Sequence, residues 1–184
     1  MSKTLIIGGA RSGKSRLAQQ YALAWQQQTG GQVVVIATAE NHHGQGSMAE
    51  RIAHHQRQRP QDWLTVETAR ELAKVLAEHD QHQRLLLVDC LTLWLCNELF
   101  AGDYPQGKAE LVTLLQQPRQ GEVVLIGNEL GQGVVPLGED NRRFVDENGW
   151  LLQALGQCCD NVLMTIAGQP LALKGQWPPR TPAC

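Results

Sequence analysis

Eight residues near the amino end of the chain, 8–15, have the types and the spacing of a loop that binds phosphate groups. Their order, G-G-A-R-S-G-K-S, matches the pattern G-x-x-x-x-G-K-[ST]. Glycines let the backbone curl so that successive N–H groups point at phosphate oxygens, and a helix that begins at the loop adds its positive end. This phosphate loop predicts a nucleoside triphosphate site, whose candidate contacts are Gly8, Gly9, Ala10, Arg11, Ser12, Gly13, Lys14 and Ser15.

Three side chains supply the charge and the metal ligands that such a site needs. Lys14 is expected to hold the β- and γ-phosphates, and Ser15 to bind Mg²⁺ through its hydroxyl. Asp89 follows the apolar run 85–88, and an acid at the end of such a strand lies beside the Mg²⁺ of a phosphate loop. Because many strands end in aspartate, Asp89 is interpreted as a metal ligand only together with the phosphate loop.

A polar segment rich in histidine and arginine follows the second predicted strand. A helix is expected over residues 47–60, and it carries Arg51, His54, His55, Arg57 and Arg59. Zinc binding is disfavoured, because adjacent histidines on a helix diverge and this helix has no i, i+4 histidine pair. Two interpretations stay open: a solvated basic face, or a histidine that acts as nucleophile near the nucleotide, since neutral imidazole is competent at pH 7.

Composition limits the class of protein. The 184 residues suit one domain, and the apolar content of 42% with 18% charged residues is typical of a soluble globular protein. A formal charge of -2 gives no electrostatic reason to expect nucleic acid or an anionic membrane as partner. We find no signal-peptide pattern and no apolar run of membrane-spanning length. The five cysteines form no C-x-x-C pair, which favours reduced thiols and a cytoplasmic location.

Strand-like and helix-like segments alternate around these motifs. Strands are expected at residues 4–7, 33–37, 63–66, 85–89, 122–127 and 161–167, with a short one at 171–173. Besides helix 47–60, helices are expected from residue 15 to a glycine stop near Thr29, and over 69–78, 90–100, 107–117 and 140–159. This order predicts a single α/β domain over residues 1–174, with a mainly parallel central sheet flanked by helices. The proline-rich tail, 175–184, is expected to be loose.

Several segments taken together resemble one family. They are residues 8–15, I-A-T at 36–38, R-I-A-H-H at 51–55 with R-P at 59–60, E-T at 67–68, V-D-C-L-T at 88–92, and N-E-L-G-Q-G-V-V-P at 128–136. In this order they are similar to the bifunctional adenosylcobinamide kinase / adenosylcobinamide-phosphate guanylyltransferase of cobalamin synthesis. The resemblance runs to about Lys174 and is far more specific than the phosphate loop alone.

The resemblance implies two reactions on one RecA-like P-loop domain. A nucleoside triphosphate, ATP or GTP, phosphorylates a hydroxyl of adenosylcobinamide; a histidine then takes GMP from GTP and passes it to the corrinoid phosphate. The nucleophile of the family maps to His54. Beyond the phosphate loop, nucleotide contacts map to Ala37, Thr38, Ala39, His55, Gln56, Arg57, Gln58, Glu67 and Asp89. The resemblance also implies a homotrimer.

One segment departs from the family pattern. After residues 141–146 the family usually has Gly-x-x-Asn-Gln, whereas this chain has G-W-L-L-Q at 149–153, without the asparagine. Residues 137–140 also match the family's usual turn poorly. These departures concern corrinoid contacts and trimer packing rather than the nucleotide site.

Three alternative functions can be weighed from the sequence. An ordinary P-loop small-molecule kinase, with His54 a surface residue, stays open. A GTP-driven switch is disfavoured because residues 128–131 are not N-K-x-D and residues 89–92 lack the glycine of D-x-x-G. A DNA-directed RecA-like ATPase is disfavoured by the net charge and the small size.

Overall fold

Seven strands and five helices occur in the part of the chain that the computed structural model describes, residues 1–39 and 60–178. In chain order they are β1 (Lys3–Gly8), α1 (Lys14–Thr29), β2 (Gln32–Ala37), β3 (Leu64–Glu67), α2 (Leu72–Glu78), β4 (Arg84–Asp89), α3 (Leu91–Ala101), α4 (Tyr104–Gln116), β5 (Glu122–Asn128), α5 (Glu139–Cys158), β6 (Asn161–Ile166) and β7 (Gln169–Lys174). The helix expected over 47–60 lies outside the described residues.

The strands form one sheet in the order β3-β2-β4-β5-β1-β6-β7. Every neighbouring pair is parallel except β6 and β7, which form an antiparallel hairpin. The expected α/β fold with a mainly parallel sheet is therefore confirmed. Among the described helices, none has the length and apolar character that crossing a membrane requires.

Apolar residues cover both faces of the sheet. In β2, Val34 and Ile36 belong to a core cluster that includes Trp94 and Tyr104, whereas Val33 and Val35 belong to a second cluster on α1 and its Trp25. Successive side chains of a strand point to opposite faces, so a strand buried on both faces is apolar throughout. Trp94 is fully buried.

The register aligns the carboxyl ends of the parallel strands at one edge of the sheet. Gly8, the last residue of β1, pairs with Asn128 on β5 and with Thr165 on β6. Ala37, the last residue of β2, pairs with Glu67 on β3 and Asp89 on β4. In open parallel sheets ligands bind outside this edge.

Two helices begin where the sequence pattern did not predict. α2 begins at Leu72 rather than at 69, because Glu71 takes a left-handed φ of 51° and caps the helix. α4 begins at Tyr104 rather than at 107, with a proline in its first turn. Gly107 is helical there, and a Cβ on it would lie 3.3 Å from Glu98 and Trp94. Close helix packing, rather than a turn, explains this glycine.

Candidate functional site

The phosphate loop joins β1 to α1 through two glycines with positive φ. Gly8 has φ 151° and Gly13 has φ 102°, and Gly13 caps the amino end of α1. A side chain on Gly8 would meet Thr165 and the Ser12 hydroxyl at 2.5–2.7 Å, so only glycine fits there. The first N–H groups of an α-helix have no partner within the helix, so the amino end of α1, which follows this loop directly, has the donors that an anion site requires.

Lys14 is folded back over the loop that precedes it. Its side chain is largely buried, with 7% of the residue exposed, and its Nζ donates to the carbonyl oxygen of Gly9 at 2.6 Å. Ser12 N donates to the same oxygen at 3.2 Å. Burial lowers the pKa of Lys14 below its usual 10.5, against the opposing effect of Cys90 and Asp89. Two donors of the loop therefore converge on one carbonyl oxygen, in the way that they could converge on a phosphate oxygen.

The Asp89 end of β4 is fixed to the end of β2 by hydrogen bonds. Thr38 N donates to Asp89 O at 3.3 Å, and the Thr38 hydroxyl donates to Cys90 O at 2.7 Å and accepts from Cys90 N at 2.9 Å. Burial, with Asp89 adding to it, raises the pKa of Cys90 to about 11, so its thiol is neutral at pH 7. The Asp89 carboxylate also attracts the Lys14 ammonium electrostatically, which favours the charged form of the lysine.

The donor chemistry of this edge fits a magnesium ion that is shared with a nucleotide. Ser15 offers a hydroxyl in the first turn of α1 and Asp89 offers a carboxylate at the end of β4. Within residues 1–39 and 60–178 no cluster of three His, Cys, Asp or Glu side chains could hold a metal. Mg²⁺ typically takes only one or two protein oxygens and completes its shell with phosphates and water. These two oxygen donors therefore suit Mg²⁺ better than a metal held by protein alone.

Asn97 on α3 was not found from the sequence, although it joins two segments at this edge. Its Nδ2 donates to Thr38 O and to Ala69 O, both at 3.0 Å. One carboxamide thus links the chain leaving β2 to the chain leaving β3. No local pattern marks this role, because the two acceptors are brought to Asn97 by strand pairing alone.

Asn148 and Thr92, also unpredicted, fix the end of β5. Thr92 Oγ1 accepts from Asn128 N at 2.8 Å, and Asn148 Nδ2 donates to Asn128 O at 3.0 Å. Glu129 N then donates to Gly8 O at 2.9 Å. The segment that begins at Asn128 is therefore anchored directly beside the phosphate loop.

The structure locates most of the predicted site residues at one edge of the sheet. The phosphate loop follows β1, residues 37–39 end β2 and leave it, Glu67 ends β3, and Asp89 ends β4. Glu67 is exposed and belongs to the outermost strand on its side. His54, His55, Gln56, Arg57 and Gln58 lie outside the described residues.

Comparison with known proteins gives relatives over nearly the whole chain. The bifunctional adenosylcobalamin biosynthesis protein CobP of Pseudomonas aeruginosa is 47% identical over 176 residues, covering 95% of this chain and 98% of that protein. Its counterpart CobU of Escherichia coli is 33% identical over 185 residues, covering 92% and 98%. Among solved structures, the flagellar accessory protein FlaH of Methanocaldococcus jannaschii superposes with a TM-score of 0.51 at 16% identity, covering 98% of this chain and 81% of that chain. That likeness concerns the fold alone.

One protein family matches the chain from the first strand to the last. The match covers residues 4–173, which include the phosphate loop, Asp89 and the segment 128–136. The resemblance inferred from the sequence motifs is confirmed by this match and by the two curated relatives. The chain therefore belongs to the cobinamide kinase / cobinamide phosphate guanyltransferase family.

Proposed function

We propose that the protein is a bifunctional enzyme of cobalamin biosynthesis, an adenosylcobinamide kinase and adenosylcobinamide-phosphate guanylyltransferase. The observation that carries this proposal is the family match over residues 4–173 of a chain whose phosphate loop converges with Asp89 at one edge of the sheet. Nucleotides, GTP and ATP, and a corrinoid are its substrates. The family resemblance further suggests a homotrimer in the cytoplasm.

In the kinase step, the hydroxyl oxygen of the corrinoid side chain attacks the γ-phosphorus of the nucleotide. The bond from that phosphorus to the β,γ-bridging oxygen breaks, the hydroxyl proton passes to solvent, and a phosphate ester and a nucleoside diphosphate result. Lys14 and the N–H groups of residues 8–15 hold the phosphates and offset their charge. Ser15 and Asp89 would hold a Mg²⁺ ion, which supplies further neutralisation of phosphate charge.

In the transferase step, we assign the nucleophile to His54. An imidazole nitrogen attacks the α-phosphorus of GTP, the bond to the α,β-bridging oxygen breaks, and pyrophosphate leaves. A phosphate oxygen of the corrinoid then attacks the same phosphorus, which restores the imidazole and yields adenosylcobinamide-GDP. A covalent histidine–GMP intermediate divides one difficult transfer into two easier steps, because imidazole is a good nucleophile. Support for His54 is the R-I-A-H-H motif and its place in the family pattern.

Labelled GTP tests the transferase step directly. Protein incubated with Mg²⁺ and GTP labelled at the α-phosphate is expected to retain acid-labile label, whereas GTP labelled at the γ-phosphate leaves none. The His54→Ala variant should lose the label, and His55→Ala tests the adjacent imidazole. His82→Ala is a matched control, because His82 is exposed just before β4, at the opposite edge of the sheet.

The outcomes separate the two candidate functions. Kinase turnover without any α-label on wild-type protein would favour a P-loop kinase that lacks the transferase. Label that persists in His54→Ala and disappears in His55→Ala would move the nucleophile by one residue. Mass spectrometry of the GMP adduct distinguishes these cases at the level of the modified peptide.

A further inference from the structure

The turn between β6 and β7 packs against the back of the phosphate loop. Gly168 N donates to Ser12 O at 2.9 Å, and the Gly168 Cα lies 3.1 Å from the position that a Cβ on Gly13 would occupy. Three residues earlier, on β6, the Thr165 hydroxyl lies 2.6 Å from the Ser12 hydroxyl. The hairpin therefore contacts Ser12 twice, once through its main chain and once through a side chain.

The direction of these hydroxyl hydrogen bonds can be worked out from the acceptors. Thr165 Oγ1 also lies 3.2 Å from Ile7 O, and a carbonyl oxygen can only accept, so the Thr165 proton goes to Ile7. In the arrangement that satisfies both contacts at once, the Ser12 proton goes to Thr165 Oγ1. A hydroxyl has one proton, so Ser12 Oγ is left with acceptor capacity only. The Ser12 hydroxyl then has no proton to donate to a phosphate oxygen, which is itself an acceptor.

We propose that Thr165 is a positioning residue for phosphate binding, which acts through Ser12 and holds the phosphate loop in its binding form. The Ser12 hydroxyl is then a structural tie to the hairpin and not a phosphate ligand. This inference rests on the proposed function only in taking a nucleotide phosphate as the ligand of the loop. Nothing in the motif G-x-x-x-x-G-K-[ST] points to a residue about 150 positions away on another strand.

The physical advantage of such a tie is preorganisation. Thr165 is 2% exposed and lies on β6, which pairs with β1 along its length, so its hydroxyl is a rigid anchor. A loop fixed before the ligand arrives avoids the cost of ordering it during binding. The missing side chain of Gly8 leaves the space in which Thr165 and Ser12 meet.

Paired substitutions measure this role. Thr165→Val removes the hydroxyl at nearly constant volume, and Thr165→Ser keeps it. We expect Thr165→Val to weaken GTP and inorganic tripolyphosphate binding by about 3- to 10-fold, as the loss of one buried hydrogen bond predicts, with Thr165→Ser restoring affinity. Ser12→Ala should cause a similar loss, and the double variant no more than the larger single loss, because both remove the same bond.

Thr4→Val is the matched control for a purely structural effect. Thr4 is buried on β1 and its hydroxyl accepts from Asn161 Nδ2, far from the loop end of the strand. This variant should lower the melting temperature while the dissociation constants, measured by calorimetry, stay unchanged. If Thr165→Val does not fold, Thr165→Ala, which removes the same hydroxyl, takes its place and is compared with Ser12→Ala and with the double variant in the same way.

Two results would overturn the role of Thr165. One is unchanged affinity for both ligands in Thr165→Val and Ser12→Ala, when wild-type protein binds GTP. The other is a large loss in Ser12→Ala that adds to the effect of Thr165→Val, because additive losses mean that Ser12 contacts phosphate directly. Wild-type protein that binds neither GTP nor tripolyphosphate would instead overturn the proposed function itself, and the positioning role with it.

Discussion

Lys14, for which we propose a role in phosphate binding, is held at a cost to the stability of the fold. Its ammonium group is buried beside the Gly9 carbonyl oxygen, and desolvation of that charge lowers its pKa. The Asp89 carboxylate offsets part of the cost without removing it. A charge that is poorly solvated in the free protein is ready to interact with a phosphate, because no water shell has to be displaced.

Replacing Lys14 by methionine should abolish kinase turnover and stabilise the nucleotide-free protein. Activity is expected to fall by about 100-fold or more, since stabilisation of the transferred phosphoryl group is lost. The melting temperature should rise by roughly 2–4 °C for each kcal/mol of burial cost removed. Turnover at the wild-type rate would mean that the site lies elsewhere.

The pH dependence of that stabilisation has a definite sign. A lysine whose pKa is lowered in the folded state binds fewer protons there than in the unfolded state. Stability of the wild-type protein therefore gains from this group as pH rises from the lowered pKa towards 10.5. The advantage of Lys14→Met should shrink over this range in melting curves recorded at increasing pH, whereas a pH-independent difference would contradict the buried charge.

At the scale of elements, the edge of the sheet depends on ties between segments that are not adjacent in sequence. Asn97 on α3 links the chain leaving β2 to the chain leaving β3 through two carbonyl oxygens. The nucleotide contacts proposed for Thr38 and Glu67 lie on these two segments. A helix that carries no phosphate ligand can therefore set the shape of the site.

Asn97→Ala should affect both stability and nucleotide use. The loss of two hydrogen bonds to the backbone is expected to cost about 1–3 kcal/mol of unfolding free energy. The displaced segments should raise KM for GTP by about 10-fold. Asn97→Asp should be worse, because it places an acceptor against two acceptors. Asn141→Ala, at an exposed position on α5, is the control and should change neither quantity. An unchanged KM in both Asn97 variants would separate this residue from the site.

The phosphate loop allows a comparison of neighbouring glycines. A Cβ on Gly8 would lie 2.5 Å from Thr165 Oγ1 and 2.6 Å from Thr165 O, whereas a Cβ on Gly9 would meet nothing within 4 Å. Gly8→Ala is expected to lower the unfolding free energy of the nucleotide-free protein by about 1–3 kcal/mol, because the crowded backbone must shift. Gly9→Ala should stay within about 0.5 kcal/mol of wild type in the same denaturant titration. Equal effects would contradict the close approach of β6 to the loop.

Elements with a strong local signal were predicted from the sequence, and those shaped by distant contacts were not. The strands around Ile6, Val35, Leu87 and Leu125 are continuous apolar runs, so their existence follows from composition alone. The phosphate loop and Asp89 were identified because their spacing carries the chemistry. Thr165, Asn97 and Asn148 were missed, because each acquires its role from a strand or helix that only the tertiary fold brings near.

At the scale of the whole molecule, the carboxyl-terminal segment packs on the first helix. Trp177 lies against Tyr21 of α1 with ring centroids 5.3 Å apart, and Gln176 N donates to Asn161 Oδ1 at 3.1 Å. Trp177 also joins the core cluster that contains Trp25. The division into a domain over 1–174 and a loose tail over 175–184 stays a prediction, and residues 179–184 lie outside the described part of the chain.

Trp177→Ala should therefore destabilise the whole domain. Loss of the aromatic contact and of the apolar area behind it is expected to cost about 1–3 kcal/mol. Phe100→Ala removes a ring that is 89% exposed and should stay within about 0.5 kcal/mol of wild type. The melting temperatures of both variants are compared with wild type at the same scan rate. Equal melting temperatures would show that Trp177 does not contribute to the stability of the fold.

The order of the strands could not be read from the sequence. β1 lies between β5 and β6, so that Lys3 pairs with Val123 and Thr4 with Asn161. Apolar runs of similar composition give no information about which of them become neighbours, and the antiparallel turn of β7 depends on two left-handed residues, Ala167 and Gly168. Strand order is a property of the packed layers rather than of any segment.

That order has a consequence for synthesis on the ribosome. The first strand to emerge pairs with β5 and β6, which lie in about the last third of the chain, and the turn after β6 that contacts the phosphate loop emerges later still. Pairing over such distances is slow, because the closure entropy of a long loop must be met before the contacts form. A nascent chain that ends before β6 therefore carries the complete phosphate loop but lacks the strand and the turn that pack against it. Nucleotide capture should begin only when translation is nearly finished, which would make ligand binding a late marker of correct folding in this protein.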